Sequence, residues 1–342
     1  MGDPTKAVIE NDSHYRKLPR TAESVKYIHG LFSTVSGTLS PPVRGDMPSI
    51  STEQVRTESS GLNIGGVPLG DRPWLVLGGG GLRGLAHLGV WRVLQQAGLR
   101  PAGIVGTSIG ALVGASLAAG RPLEELEEIA RSVSREKVAR MPRRFLWPQG
   151  IRSSGLYRGD TLMNYIEKVA PAGGWASLRI PFQVNAVELG SGRTEWFGTG
   201  ARTDVRLPQA IYASAALPVF YPPCPLPGGH YVDGGTKDAL PIPRAAELGA
   251  SGIIAVDVGA AETADASTIV ERGMLAIHDR VFAIMSGAQR RSTVRKWTGP
   301  PLVYIRPQMV GRGPLEFGRV EEMLEAGRKA AEAVLGNSED VS

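Results

Sequence analysis

The sequence has a single cysteine in 342 residues, so Cys224 has no intrachain partner for a disulfide. A disulfide-stapled fold is excluded, and a reducing compartment fits. Cys224 lies in Pro222-Pro223-Cys224-Pro225 with no histidine at ligand spacing, and it reads as a packing residue. No group of His, Cys, Asp or Glu has metal-ligand spacing, so neither a metal nor another cofactor is expected. The N-terminus lacks the order of a secretory signal, because Glu10, Asn11 and Asp12 arrive before any apolar run forms. Its Met-Gly start carries Lys6 where an N-myristoylation signal has Ser or Thr. The longest nearly uncharged stretch, Gly103 to Gly120, holds five glycines and two serines, which suits a buried strand-turn-helix better than a membrane span. A cytoplasmic address is the expectation. Internal repeats are also absent.

What is present is ordinary for a folded chain. Hydrophobic residues at 42% and charged residues at 21% supply a core for one large α/β domain with extensions. The formal charge of +5 favours an anionic surface but is too small to indicate nucleic acid, which is not expected as a partner. Nothing in the sequence sets an oligomeric state.

Residues 1–72 are poor in apolar periodicity and rich in Ser, Thr, Pro and Gly, and they read as a disordered or loosely structured extension with a short helix near 23–32. From Trp74 the pattern changes. Strands are expected at 74–77, 103–105, 182–188, 194–197, 253–258 and 302–305. Helices are expected at 82–97, 109–119, 123–135, 208–213, 269–296 and 316–334. This alternation predicts an α/β fold whose mostly parallel central sheet is flanked by helices on both faces. The division expected is a catalytic domain over 73–259, a helix-and-strand extension over 260–335 packed on it, and a disordered tail over 336–342. A basic run of Arg290, Arg291, Arg295 and Lys296, with Trp297, reads as the exposed end of a long helix.

Gly106-Thr107-Ser108-Ile109-Gly110 has the Gly-x-Ser-x-Gly form of a nucleophile elbow, placed between a short apolar strand and a small-residue helix. Such an elbow projects its serine hydroxyl from a strained turn and needs small flanking residues, which Gly106 and Gly110 supply. The plainer reading is a glycine-rich turn tightening a strand-helix unit. Upstream, Gly78-Gly79-Gly80-Gly81-Leu82-Arg83-Gly84 contains the Gly-x-Gly-x-x-Gly spacing of a dinucleotide site. That reading needs an acidic residue about 20 positions on, and 99–107 has none. Consecutive unencumbered N–H groups at a helix start suit an oxyanion equally well. The loop Gly79, Gly80, Gly81, Arg83 and Gly84 is therefore the candidate oxyanion hole, with Arg83 fixing the loop or adding positive potential.

A serine needs a base. Of the five histidines, His14 and His29 fall in the extension, and His87 suits a packed or capping role. His278 would complete the order Ser108, Asp257, His278, but it falls within a helical pattern rather than a loop. Strand alternation turns His230 and Asp233 to opposite faces, leaving His230 at a rim. Asp233-Gly234-Gly235 puts a carboxylate at a strand end followed by two residues without side chains, although Asp-Gly is also common turn chemistry.

Taken in order, the glycine loop, the elbow and Asp233-Gly234-Gly235 resemble the patatin-like phospholipase family in its bacterial form, over about 74–259 and including Ser214-Ala215-Ala216-Leu217-Pro218. The resemblance implies a three-layer fold and a serine acyl-ester hydrolase. Ser108 would be the nucleophile, Asp233 the proton acceptor, and the N–H groups of Gly79, Gly80 and Gly81 the oxyanion donors. It implies a lipid or other acyl ester as substrate, through an acyl-enzyme. An acyltransferase sharing that intermediate and a non-enzymatic lipid-sensing scaffold are the alternative readings. Between Ser134 and Arg158, a cluster including Arg143, Arg144, Phe145, Leu146 and Trp147 suits peripheral docking on an anionic membrane, or else a solvated connection.

Overall fold

The computed structural model describes residues 62–141, 153–261, 263–309 and 315–336, together with the backbone of 6–8. Strand β1 (Lys6–Val8) and the hairpin β2 (Asn63–Ile64) and β3 (Val67–Pro68) precede β4 (Pro73–Leu77) and α1 (Ala86–Gln96). Then come β5 (Gly103–Gly106), α2 (Ile109–Ala118), α3 (Leu123–Arg131), α4 (Arg135–Val138) and α5 (Gly159–Val169). β6 (Phe182–Glu188), β7 (Thr194–Gly198), α6 (Leu207–Ala215), β8 (Cys224–Leu226), β9 (Gly229–Asp233) and α7 (Ile242–Glu247) continue the chain. The last elements are β10 (Gly252–Val256), α8 (Ala266–Glu271), α9 (Met274–Arg295), β11 (Leu302–Ile305) and α10 (Val320–Gly336).

The main sheet runs β1-β11-β10-β4-β5-β6-β9-β8, with β7 also paired to β6. Every pairing from β1 to β6 is parallel, whereas β7, β9 and β8 join antiparallel. The central strands are short apolar runs because helices cover both faces. Side chains divide by the two-residue alternation of a strand. Leu75, Leu77, Ile104, Ile254, Val256, Val303 and Ile305 enter the larger core, with residues of α1, α2, α3, α5, α6 and α10. Trp74, Val76, Val105, Ile253, Ala255, Leu302 and Tyr304 face the opposite way, onto α7 and the end of α9. The expected α/β architecture with helices on both faces is the one observed.

Helices α1 and α10 cross closely. A Cβ on Gly89 would lie 1.9 Å from the Leu324 carbonyl oxygen, and one on Gly327 would lie 2.0 Å from that of Ala86. Each helix thus presents a glycine to the other's backbone, which locks the C-terminal helix onto the helix that follows the glycine loop.

Several boundaries differ from the sequence expectation. The extension expected through residue 72 is structured from 62. Gly65 and Gly66 close a two-residue hairpin at φ of 59° and 78°, and Ile64, Val67 and Leu69 are buried. Lys6–Val8 pairs with β11. The remaining calls before residue 62 and after 336 lie outside the described residues. The helix expected over 123–135 ends at Arg131, where the Ser132 hydroxyl donates to the Ile129 carbonyl. The long helix expected over 269–296 divides at Gly273, whose φ of 80° halts α8 before α9 begins. Arg290 and Trp297, expected on an exposed end, are buried. Helix α5 and strand β8 were not anticipated. Replacing Gly89 with Ala is expected to cost about 1–3 kcal/mol by forcing the two helices apart, outweighing the gain in helix propensity, as read from urea unfolding.

Candidate active site

The site is built on one edge of β6. Strand β7 pairs along Gln183 to Val187 and takes one edge entirely. On the other edge β5 runs parallel and ends with Gly106 opposite Val184, while β9 runs antiparallel and ends with Asp233 opposite Ala186. Two strands thus approach each other head-on along a third and stop with Asn185 between them. The elbow leaves the end of one and Asp233-Gly234-Gly235 leaves the end of the other, so residues 125 positions apart in sequence meet. Asn185 seals the junction. Its Oδ1 accepts from the Thr107 hydroxyl at 2.9 Å, and its Nδ2 donates to the Asp238 carbonyl at 2.9 Å. Gly234 abuts this amide so closely that a Cβ there would lie 2.3 Å from Asn185 Oδ1.

Ser108 occupies φ 55° and ψ −123° at the N-cap of α2, and is one of two non-glycine residues with positive φ among those described. That conformation is costly for a residue with a Cβ and persists only where neighbours impose it. Here the Ser108 N–H donates to the Ser214 hydroxyl at 2.8 Å, while the elbow packs too tightly for side chains at its glycines. A Cβ on Gly110 would lie 2.1 Å from the Leu77 carbonyl oxygen, and one on Gly106 would lie 2.5 Å from that of Gly110. The Asp233 N–H donates to the Ala216 carbonyl at 3.0 Å. Ser214 and Ala216, two residues apart at the end of α6, therefore hold the main chains of Ser108 and Asp233 together.

The Asp233 carboxylate accepts from the Gly235 N–H at 2.7 Å and lies near enough to the Ser108 hydroxyl for that group to lower its pKa. Burial pushes its pKa up to about 6, against the lowering effect of those two groups. Asp257 and His278 do not assemble with Ser108. Asp257 accepts from Tyr304 at 2.6 Å and from the Gly259 N–H at 2.8 Å, and it pairs with buried Arg290 at 3.1 Å. His278 lies within α9, its ring 6.2 Å from that of Phe220. His230 is exposed on β9.

The glycine loop lies against the elbow, with a Cβ position at Gly79 only 3.3 Å from the Ser108 Cβ. Peptide by peptide, its orientation is set. The Gly78 carbonyl accepts from Nε2 of His87 at 2.9 Å, and the Gly79 N–H donates to the Ala239 carbonyl at 2.9 Å. Burial lowers the His87 pKa to about 4, so the ring is neutral and its Nε2 carries the donated proton. Gly79 must therefore be removed from the expected oxyanion donors, since its N–H is already engaged. The Gly80 carbonyl accepts from Arg83 Nε at 3.1 Å, which turns the Gly81 N–H of the same planar peptide the opposite way. No described residue accepts from the Gly80 or Gly81 N–H. Gly84 serves by packing, because a Cβ there would lie 2.1 Å from the Ile109 side chain.

Ser108, Asp233, Gly80 and Gly81 open into one cavity that continues between α2, α3 and α5. Its walls include Leu85, Leu112, Ile129, Val133, Leu162 and Ile166, so a polar end leads into an apolar arm. Arg143, Arg144, Phe145, Leu146 and Trp147 lie outside the described residues. Among the described residues no helix is long and apolar enough to cross a membrane, and no group of acidic, His or Cys side chains is arranged to hold a metal.

A family model for patatin-like phospholipases matches residues 75–246, half of the chain. The chain belongs to the patatin-like phospholipase family. An uncharacterized NTE family protein of Mycobacterium tuberculosis is 33% identical over 220 residues, covering 64% of this chain and 55% of that protein. A lysophospholipase of Neurospora crassa is 28% identical over 279 residues, covering 76% of this chain and 18% of its own length. This patatin-like chain thus spans about half the length of the first relative and under a fifth of the second. Among solved structures, VipD from Legionella pneumophila aligns with a TM-score of 0.47 at 13% identity, over 79% of this chain and 67% of that one.

Within this patatin-like site, sequence reading missed Asn185, the His87 tether and the pairing of Ser214 with the Ser108 main chain. Ser214-Ala215-Ala216 did stand out as a motif, but only the fold shows what it touches. Because the folded chain holds the Asp233 proton more tightly than the unfolded chain, this residue's stabilising contribution is complete below about pH 4 and lost as pH rises through about 6. Asp233→Asn is therefore expected to be more stable than the parent at pH 8, by on the order of 2–3 kcal/mol at most, with the difference vanishing near pH 4. Thermal unfolding at the two pH values measures it.

Proposed function

We propose that the protein is a serine acyl-ester hydrolase acting on lipids, with Ser108 as nucleophile and Asp233 as its base. The observation that carries this reading is the strained Ser108 beside the buried Asp233 carboxylate at the head of one apolar cavity. An ordinary surface aspartate is too weak a base for a serine hydroxyl. Burial without a cationic partner makes Asp233 more basic while leaving it mostly ionised at neutral pH.

In the proposed reaction the Ser108 oxygen attacks the ester carbonyl as its proton passes to Asp233. The negative charge developing on the carbonyl oxygen meets the N–H groups of Gly80 and Gly81, together with that of Ile109 at the start of α2. Collapse of the tetrahedral intermediate forms acyl-Ser108 and breaks the bond to the alcohol, which takes the proton from Asp233. Water, deprotonated by Asp233, then releases the acid and restores the Ser108 hydroxyl. Arg83 and His87 hold the oxyanion loop in place, so no donor must reorient as charge develops. The apolar arm suits an acyl chain, and the names of the family and of the Neurospora relative support a lysophospholipid or phospholipid as the ester. A soluble enzyme working at membrane surfaces from the cytoplasm is the setting this reading favours.

A fluorophosphonate probe is expected to label the native chain at Ser108, and Ser108→Ala to lose both labelling and ester turnover. Absence of labelling in a chain with a native melting transition would refute the assignment. Turnover of a soluble short-chain ester should also fall about tenfold per pH unit below about 6 as Asp233 becomes protonated, a dependence read from kcat/KM against pH. A pH profile flat down to 4 would contradict Asp233 as the base.

A further inference from the structure

Helix α9 (Met274–Arg295) is a wall of the cavity, and its two sides differ in kind. At about 100° per residue, Asp279, Phe282, Ala283, Ser286 and Arg290 fall on one side, and all five line the cavity that holds Ser108. Met274, Ile277, Val281, Ile284 and Met285 fall on the opposite side, and they are 80%, 42%, 49%, 50% and 66% exposed. Val270 on α8 adds a sixth, at 65%. Six of the nine exposed large hydrophobic residues among those described are thus gathered on two successive helices. Scattered exposure needs no explanation, but a stripe of this kind marks a contact surface.

Charge distinguishes among the partners such a stripe could meet. Residues 270–297 carry Arg272, Arg280, Arg290, Arg291, Arg295 and Lys296 against Glu271 and Asp279. Of these, Arg290 is buried against Asp257 and Asp279 faces the cavity. Arg295 and Lys296 are exposed at the C-terminal end of the stripe, and the helical count places Arg295 on the same side as Ile277. An apolar stripe ending in exposed cations is the pattern of a helix lying in a membrane interface, its apolar side at the acyl boundary and its cations among anionic headgroups.

We propose that the outer face of α9 docks the protein on an anionic lipid bilayer. Docking in this way sets the outer side of one cavity wall against the lipid phase. The inference rests on the acyl-ester reading for its purpose, and its test is independent of turnover.

The test uses the full chain carrying Ser108→Ala, floated with vesicles of pure phosphatidylcholine or of phosphatidylcholine mixed with phosphatidylglycerol. Partition onto the mixed vesicles is expected, with at least about a tenfold loss when Ile277→Ser, Ile284→Ser and Met285→Ser are combined. Arg295→Glu with Lys296→Glu should abolish the preference for the anionic vesicles. Thermal unfolding of each variant confirms that it is folded, and Val281→Ser with Met285→Ser serves as a milder pair should the triple variant fail to fold. Undiminished partition by a folded stripe variant would overturn the proposal. So would a parent chain that ignores both vesicles and forms a dimer which the stripe variants dissociate, since the face would then belong to a second copy. A wild-type chain that binds vesicles yet turns over no soluble ester would refute the hydrolase reading and leave the docking surface standing.

Discussion

The head-on meeting of β5 and β9 along one edge of β6 is the constraint on which the rest of the site depends. A parallel strand carries Ser108 to the junction and an antiparallel strand brings Asp233 from the other direction, both in register with the same backbone. Main-chain hydrogen bonds, rather than flexible side chains, thereby set the separation of the two groups. The fold's local departures from ideal geometry gather here. Ser108 sits at positive φ, Gly110 and Gly234 pack where no side chain fits, and Asn185 satisfies polar groups on both sides. Each departure is held by a neighbour, as with the Ser214 hydroxyl that accepts from the Ser108 N–H. Strain of this kind needs a rigid surround, and the sheet covered on both faces provides one.

Two buried aspartates show how much a partner decides. Burial alone drives the pKa of either upward. At Asp257 that effect is outweighed by Arg290, Arg306 and the Tyr304 hydroxyl, and the carboxyl stays below its ordinary value. It is a structural anion that ties β10, β11 and α9 together. Asp233 has donors but no cation against it, and its pKa rises. The same residue type at similar depth is an anionic tether in one place and carries a raised pKa in the other. The raised pKa that costs the fold stability at neutral pH also makes the Asp233 carboxylate a stronger base than an exposed aspartate.

Helix α9 joins the site to its surroundings. Its inner face contributes Arg290 to the Asp257 pair and Phe282 and Ser286 to the cavity, so it cannot be displaced without disturbing the core. Its outer face remains apolar and exposed. The basic run at its end, which resembles one solvated patch in sequence, divides in the structure. Arg290 and Trp297 turn inward while Arg295 and Lys296 remain in solvent. One helix period is enough to separate the two sets, because successive residues point about 100° apart.

Local pattern determined much of this protein. Short apolar runs punctuated by glycine specified the central strands, and small residues around Ser108 specified the elbow, because both depend on sterics within a few residues. The lack of a well-placed histidine, together with the family resemblance of three ordered motifs, singled out Asp233. Only the tertiary structure decided the long-range relations. That Gly79 donates to Ala239, that His87 holds Gly78, and that Ser214 holds Ser108 are contacts across 9 to 160 positions that no local pattern encodes. Helix α5 and strand β8 also escaped notice, and in the fold they pack against α6 and β9. Sequence named Ser108 and Asp233 as candidates because their types and immediate neighbours are local facts, whereas their proximity, their acidity and the cavity they share arise only when strands far apart in the chain lie side by side.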